Sequence, residues 1–346
     1  MTDFNALILA AGHGRRLHPL SDLLPKPLVP LFTIPLVDFA LARLTQLTPL
    51  PRHVIVNLHH RSADLVAYLG HGQRFGLDIL YSEERPHILG TGGALRRKAA
   101  QLAQGPVIVQ NADVFFSAPL DRLRAALARC PDCSAAVGLT RCASRPELNL
   151  VKMDTPDREA GGIVATIGPP ASDDKWVFAG VHLLTPRIFD YLPPDGFSCV
   201  VRDGYRPMIA AGHKVAGVAL PDSLWHDLGT PLSYLEAHLQ LFPSLATFIP
   251  PGVPWPFIET SRGMFLHPEA RVAPGAELTP PVVIDAGACV ARGARVGPRV
   301  VLGRDSVVNG RGTIRDSVVW PGGEALCAPD EPLARAVVTK ELTLLL

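Results

Sequence analysis

From Leu266 onward every sixth residue is apolar: Leu266, Val272, Leu278, Ile284, Val290, Val296, Leu302, Val308, Ile314 and Trp320. With 47% of the 346 residues apolar, ten hits in ten positions arise by chance about once in two thousand trials of one frame. A six-residue period is the mark of a parallel β-helix. A β-sandwich with a fortuitous period is the competing reading.

The first 240 residues carry a different pattern. Short apolar runs (Leu7–Ala10, His53–Asn57, Asp78–Tyr81, Val107–Gln110) alternate with helix-like segments such as Pro35–Leu47 and Ser62–Tyr68. Such alternation predicts a mainly parallel sheet covered by helices on both faces, with ligands at the carboxyl ends of its strands. The 34 prolines are roughly twice ordinary usage and argue against long helices. Several cluster between Pro243 and Pro256, which reads as a linker. The expected organisation is a catalytic domain over 1–242, a linker over 243–263, the repeats over 264–325 and a tail over 326–346. The best hexads, Ile284–Cys289, Val290–Arg295, Val296–Val301 and Leu302–Val307, resemble the left-handed β-helix of the hexapeptide-repeat family. The expected fold class is therefore α/β, a Rossmann-like mostly parallel sheet with helices on both faces, plus a C-terminal left-handed parallel β-helix.

Charge and cysteine content narrow the function classes. Lys and Arg (33) nearly balance Asp and Glu (32), so no basic field supports nucleic-acid binding. The longest stretch without a charged side chain, Ala237–Ile258, holds five prolines, which rules it out as a spanning helix. The apolar run Ala6–Ala11 lacks the basic flank of a signal peptide, so a cytoplasmic location is expected. Six cysteines do not make a disulfide scaffold. Cys130-Pro-Asp-Cys133 is an incomplete tetrahedral metal set, and its cysteines are expected as structural thiols.

The loop after the first strand, Ala10-Ala11-Gly12-His13-Gly14-Arg15-Arg16, combines glycines, which admit a close ligand, with arginines, which offer forked donors to phosphate oxygens. It lacks the Gly-Lys-Ser/Thr ending of a Walker loop, and Leu17 stands where a dinucleotide fingerprint needs its third glycine. A plain tight turn is the other reading. The continuation decides for phosphate: Gly12, Gly14, Arg16, Leu17, Pro19, Leu20 and Ser21, then Pro25-Lys26-Pro27, resemble the signature of the sugar-1-phosphate nucleotidyltransferases. Arg15 stands where that family commonly has threonine or serine. Leu89-Gly90-Thr91-Gly92-Gly93 resembles the family's nucleobase loop, Val109–Asp113 the strand end bearing its first metal-binding aspartate, and Trp225–Pro231 the segment bearing the second.

The reaction this resemblance implies is attack by a sugar 1-phosphate oxygen on the α-phosphorus of a nucleoside triphosphate, with pyrophosphate leaving. Both reactants are anionic, so catalysis is positioning and charge neutralisation. Arg16 would neutralise the departing β- and γ-phosphates and Lys26 the α-phosphate region, while Asp113 and Asp227 would hold Mg2+, a hard cation that takes carboxylate oxygens. Surface ion pairs, and for the aspartates helix caps, are the alternatives. Ala10, Ala11, Gly12, Gly14, Arg15, Gly90 and Thr91 would contact the nucleotide, and Gly92 and Gly93 would let the base lie flat against the chain. His13, His18, His59, His60 and His226 read as loop or packing residues, His226 alternatively as an orienter of the metal site. The family's Glu-Lys pair for the sugar phosphate has no match here, leaving Lys175 as candidate, with Glu147, Asn149 and Gly180 near the sugar.

The expected activity makes an NDP-sugar from a triphosphate and a sugar 1-phosphate, GTP with mannose 1-phosphate first and UTP next. A catalytically idle, nucleotide-sugar-binding regulator is the alternative. An acyltransferase β-helix is less supported, since His267 is the only histidine after residue 250 and ten hexads make three triangular coils. The repeats are read as an assembly or regulatory module, and a homo-oligomer without nucleic-acid or membrane partners is expected.

Overall fold

The computed structural model describes residues 3–141, 149–157, 161–168, 176–220, 224–253 and 255–346. They form two compact units whose segments interleave along the chain. Met1–Gly14, Leu24–Pro27 and Ala40–Trp225 make the first; Arg15–Leu23, Leu28–Phe39 and His226–Leu346 make the second.

The first unit is built on nine strands: β1 (Asn5–Leu9), β2 (Val54–Leu58), β3 (Ile79–Glu83), β4 (Val107–Asn111), β5 (Cys133–Arg141), β6 (Leu150–Asp157), β7 (Gly161–Ile167), β8 (Trp176–Leu184) and β9 (Lys214–Ala219). Their order is β3-β2-β1-β4-β8-β5-β9-β7-β6. β3, β2, β1 and β4 pair in parallel, as do β5 and β9, while β8 and β7 run against their neighbours. This is the mostly parallel α/β sheet the alternation predicts. β2 is buried along its whole length and the edge strand β3 is not, as a sheet covered on both faces requires. The helices α1 (Ser62–Leu69), α2 (Gly90–Arg97) and α3 (Asp121–Arg129) connect strands. α1 buries Leu65 and Leu69 and α3 buries Leu123 and Ala126, the one-sided stripe of a helix laid on a sheet. Because β1 to β4 share a direction, the loops after them emerge at one edge, and the motifs at Gly12, Gly90 and Asp113 lie there.

Two core details bear on stability. His182 on β8 is wholly buried, its Nδ1 2.5 Å from the Tyr205 hydroxyl, and burial pushes its pKa down to about 3. Cys130 and Cys133 form a disulfide between α3 and β5, with their Cα atoms 5.3 Å apart. This corrects the expectation of thiols. The tight turn in which the Cys133 N–H donates to the Cys130 carbonyl at 2.9 Å brings the Cα atoms within bonding range.

In the second unit the chain visits three parallel sheets in turn. Met264–Leu266, Val282–Ile284, Val300–Leu302, Ser317–Val319 and Ala336–Val338 belong to the first sheet. Arg271–Val272, Cys289–Val290, Val307–Gly310 and Glu324–Cys327 belong to the second; Glu277–Leu278, Arg295–Val296, Thr313–Arg315 and Leu333–Ala334 belong to the third. Register partners such as Ile284↔Leu302 and Val290↔Val308 stand three hexads apart. The arrangement is consistent with the parallel β-helix that the period predicts. Its interior is aliphatic: Ile284, Val290, Val296, Leu302, Val308 and Ile314 share one buried cluster.

The period breaks at two of the ten expected positions. Leu302 pairs with Val319, not with Trp320, because the connection is one residue short of three hexads. Val319 takes the interior place, and Trp320 turns away to donate its indole N–H to the Tyr234 hydroxyl at 2.9 Å. Val272 is 37% exposed, since its strand is the first of its sheet and lacks a neighbour on one side. The strands also run beyond the expected boundaries: Ile258–Ser261 pairs with Met264–Leu266, and Leu333–Ala334, Ala336–Val338 and Thr343–Leu345 continue the sheets.

Helix α4 (Pro231–Leu241) groups with these strands and not with the nine-stranded sheet. Thr230 caps it through a capping box with Ser233. The Tyr234 hydroxyl donates to the Pro30 carbonyl at 2.6 Å as well as accepting from Trp320. His238 Nε2 accepts the Phe32 N–H at 2.8 Å, so its proton resides on Nδ1, directed at the Tyr234 carbonyl at 2.9 Å. Burial lowers the His238 pKa to about 4.

Candidate active site

In the first unit the chain leaves β1 through buried Ala10 and Ala11. A Cβ added at Gly12 would meet no atom within 4 Å, so the loop has open space where a ligand would approach. Gly14 has φ +66°, a conformation that costs side-chain-bearing residues steric energy. Lys26 follows in a short 3-10 turn. It is 6% exposed, and its Nζ is 2.8 Å from Asp113 Oδ2. Lysine is seldom buried without such a partner. Asp113 lies between β4 and the strand Val114–Phe116. Two motifs 87 residues apart thus meet in one charge pair.

A second pair lies in the second unit. Arg16, in the turn Arg15–Leu17, is largely exposed, and its guanidinium approaches buried Asp227 at 3.5 Å. Arg15 beside it is exposed. Two residues past Asp227, a Cβ at Gly229 would come within 2.9 Å of the Arg16 guanidinium, so only glycine leaves that group its present place. Arg16 and Lys26, the two cations expected at the phosphates, are each paired with one of the two aspartates. Carboxylates backed by a cation, one buried and one half-buried, are hard oxygen donors of the type magnesium takes, so the donor chemistry fits that ion.

The loop expected at the nucleobase packs on another part of the same chain. Gly92 and Gly93 lack side chains because residues 196–200 of the same chain pack on them. A Cβ at Gly92 would stand 2.6 Å from Ser198 Oγ, and one at Gly93 would stand 2.6 Å from the Gly196 carbonyl. The Gly92 N–H donates to the Ser198 carbonyl, and Thr91 Oγ1 accepts the Val200 N–H at 2.9 Å. Their smallness therefore serves the packing of the start of α2 and does not by itself make a flat bed for a base. Gly90, at φ +71°, is closed in by the Phe197 ring and the Ser198 carbonyl.

On the sugar side, the Asn149 carbonyl accepts the Phe178 N–H at 3.0 Å. Gly180, at φ +77°, would carry a Cβ 3.1 Å from Asn111 Nδ2, so its bareness makes room for that amide. Glu147 and Lys175 lie outside the described residues. Asn111 beside Gly180, Gly229 beside Arg16, and Asn57 and Glu84, which accept the Ala10 and Leu89 N–H groups, were not assigned by the sequence reading. Gly229 stood inside the quoted Asp227 segment, and the other three are polar residues ending or following strands whose carboxyl ends were already marked for ligands.

Residues 5–243 match the nucleotidyl transferase family. The chain belongs to that family. A mannose-1-phosphate guanylyltransferase of Mycobacterium tuberculosis is 30% identical over 296 residues, covering 85% of this chain and 77% of that protein. An N-acetylmuramate alpha-1-phosphate uridylyltransferase of Caulobacter vibrioides is 34% identical over 244 residues, covering 68% of this chain and 96% of that protein. Among solved structures, one described as a putative glucose-1-phosphate thymidylyltransferase from Bacillus anthracis in complex with sucrose covers 71% of this chain and 96% of its own, at TM-score 0.60 and 21% identity, a likeness of fold. This nucleotidyl transferase is an enzyme of the sugar-1-phosphate type. No helix among its described residues is long and apolar enough to cross a membrane.

Proposed function

We propose that the enzyme transfers a guanylyl group from GTP to mannose 1-phosphate, with UTP the next candidate donor. The observation that carries the reading is the pair of buried Lys26 with half-buried Asp113 at the strand edge where the phosphate loop emerges. Among the relatives that match about 85% of the chain, the guanylyltransferase has the higher identity, 30% against 24% for a uridylyltransferase, which supports GTP before UTP.

In this reading the backbone of residues 10–14 and 90–91 holds the triphosphate. Arg16 faces the β- and γ-phosphates and Lys26 the α-phosphate, where negative charge accumulates as a sugar-phosphate oxygen bonds to the α-phosphorus and the bond to pyrophosphate breaks. Asp113 and Asp227 are the proposed Mg2+ ligands, and the ion would supply charge neutralisation to the phosphates. No covalent nucleophile is needed, and the buried histidines take no part. Asn149 and Gly180 are proposed at the sugar. Gly180 leaves the Asn111 amide room to serve there.

For the C-terminal strands we infer a left-handed parallel β-helix that supports assembly into a homo-oligomer. Its seat is the cytoplasm, where nucleoside triphosphates are available. Pyrophosphate release measured with GTP, UTP, dTTP, CTP and ATP against a panel of sugar 1-phosphates tests the substrate reading. The highest kcat/KM is expected for GTP with mannose 1-phosphate, and a clear preference for another pair would overturn it. Light scattering at micromolar concentration tests assembly, a monomer being the contrary result.

A further inference from the structure

A buried polar bridge joins the phosphate loop to the loop before α2. The Ala10 N–H donates to Asn57 Oδ1 at 2.6 Å, Asn57 Nδ2 donates to Glu84 Oε1 at 2.8 Å, and the Leu89 N–H donates to Glu84 Oε2 at 2.7 Å. Glu84 is 0% exposed and Asn57 is buried. The Glu84 main chain is also fixed, its N–H to the Leu58 carbonyl at 2.8 Å and its carbonyl to His59 Nδ1 at 2.7 Å. We propose that Asn57 and Glu84 are positioning residues that set the distance between the phosphate loop and the base loop, and thereby the fit of the nucleotide. The inference rests on the nucleotidyl-transfer reading above.

The direction of the hydrogen bonds makes the argument specific. Both ends of the bridge are backbone N–H donors, which cannot change their polarity. Between two donors the side chains must present an acceptor at each end. An asparagine amide converts one acceptor into one donor, so its partner has to accept on both oxygens, which a carboxylate does and a carboxamide cannot. Glu84→Gln therefore places an NH2 against a donor whichever way the amides flip. Asn57→Asp sets two carboxylates face to face. The double change Asn57→Asp with Glu84→Gln restores every pair. The new carboxylate at position 57 accepts from the Ala10 N–H on one oxygen and from the new amide NH2 at position 84 on the other, and the amide carbonyl at position 84 accepts the Leu89 N–H. A residue that only fills space would show no such reciprocity.

The test measures steady-state kinetics and amide hydrogen exchange on the full-length wild type, the two single variants and the double variant. Glu84→Gln is expected to raise KM for the triphosphate about tenfold, equivalent to about 1.4 kcal/mol, with KM for the sugar 1-phosphate held within about twofold. Exchange at Ala10 and Leu89 should speed up together. The double variant should recover both readouts. An unchanged triphosphate KM in Glu84→Gln, or a double variant no better than the worse single one, overturns the proposal. If the wild type turns over none of the sugar 1-phosphates, the functional reading fails, and the paired exchange response at Ala10 and Leu89 still decides whether the bridge couples the loops.

Discussion

The nine-stranded sheet and the three sheets of short strands solve burial in opposite ways. In the second, each hexad meets the same demand, one aliphatic side chain inward, so Ile284, Val290, Val296 and Leu302 are interchangeable in role and all buried. In the first, no two strands end alike: β1 leads into the open loop at Gly12, β2 carries Asn57 one residue before its end, and β4 leads through Asn111 to Asp113. A repeating geometry spends its residues on stability, and an irregular one leaves positions over for chemistry. Substitutions in the two regions should accordingly fail in different assays.

The sharpest contrast is Lys26→Ala in the first unit against Leu302→Ala in the second. Removing the cation proposed to face the transition-state charge should lower kcat by about a hundred- to a thousandfold, read by pyrophosphate release, with little loss of folding stability beyond what Asp113 loses with its lysine. Leu302→Ala should leave kcat near wild type and cost about 2–5 kcal/mol in denaturant unfolding. A large loss of kcat in Leu302→Ala, its fold intact, would break the contrast.

Acidification tests a weakness that both units share. His182 and His238 hold folded pKa values of about 3 and about 4 against 6.5 for the ordinary group. The unfolded chain therefore binds protons that the folded chain refuses, and stability falls as pH drops below 6.5 until the folded pKa is reached. At pH 5 each histidine should cost about 2 kcal/mol relative to pH 8. His182→Gln and His238→Gln, compared at both pH values by urea titration, should each lose that increment of acid sensitivity. A slope identical to wild type would contradict the assignment.

Trp320→Phe gives the smallest effect. It keeps the ring against Tyr234 but removes the indole N–H, and should cost about 1 kcal/mol of stability with kcat unchanged. A cost within error of zero would show that the Tyr234 hydroxyl finds another donor.

How much was legible in the sequence follows the same contrast. The hexad period marked the interior of the repeats residue by residue until a connection lost one position, and then misassigned Trp320. Nothing in composition announces that Val319 has slipped into register, because both residues are apolar. The motifs holding Gly12, Arg16, Lys26, Asp113 and Asp227 stood out in the sequence because residue type and spacing carry them, and the structure pairs Lys26 with Asp113 and Arg16 with Asp227. Packing was not. Gly92 and Gly93 read as ligand glycines, yet the atoms they make room for belong to residues 196–200, more than a hundred positions away. Glu84 was passed over because its partners, Asn57, Ala10 and Leu89, are brought to it by strand pairing. Cys130 and Cys133 were read as structural thiols because their spacing makes an incomplete metal set, whereas the turn between α3 and β5 decides their state.

The central claim is that Asp113, held beside Lys26, is required for nucleotidyl transfer. Magnesium-dependent pyrophosphate release from GTP and mannose 1-phosphate should fall by about a thousandfold or more in Asp113→Ala, with the protein still folded by circular dichroism. Full turnover by Asp113→Ala would contradict it.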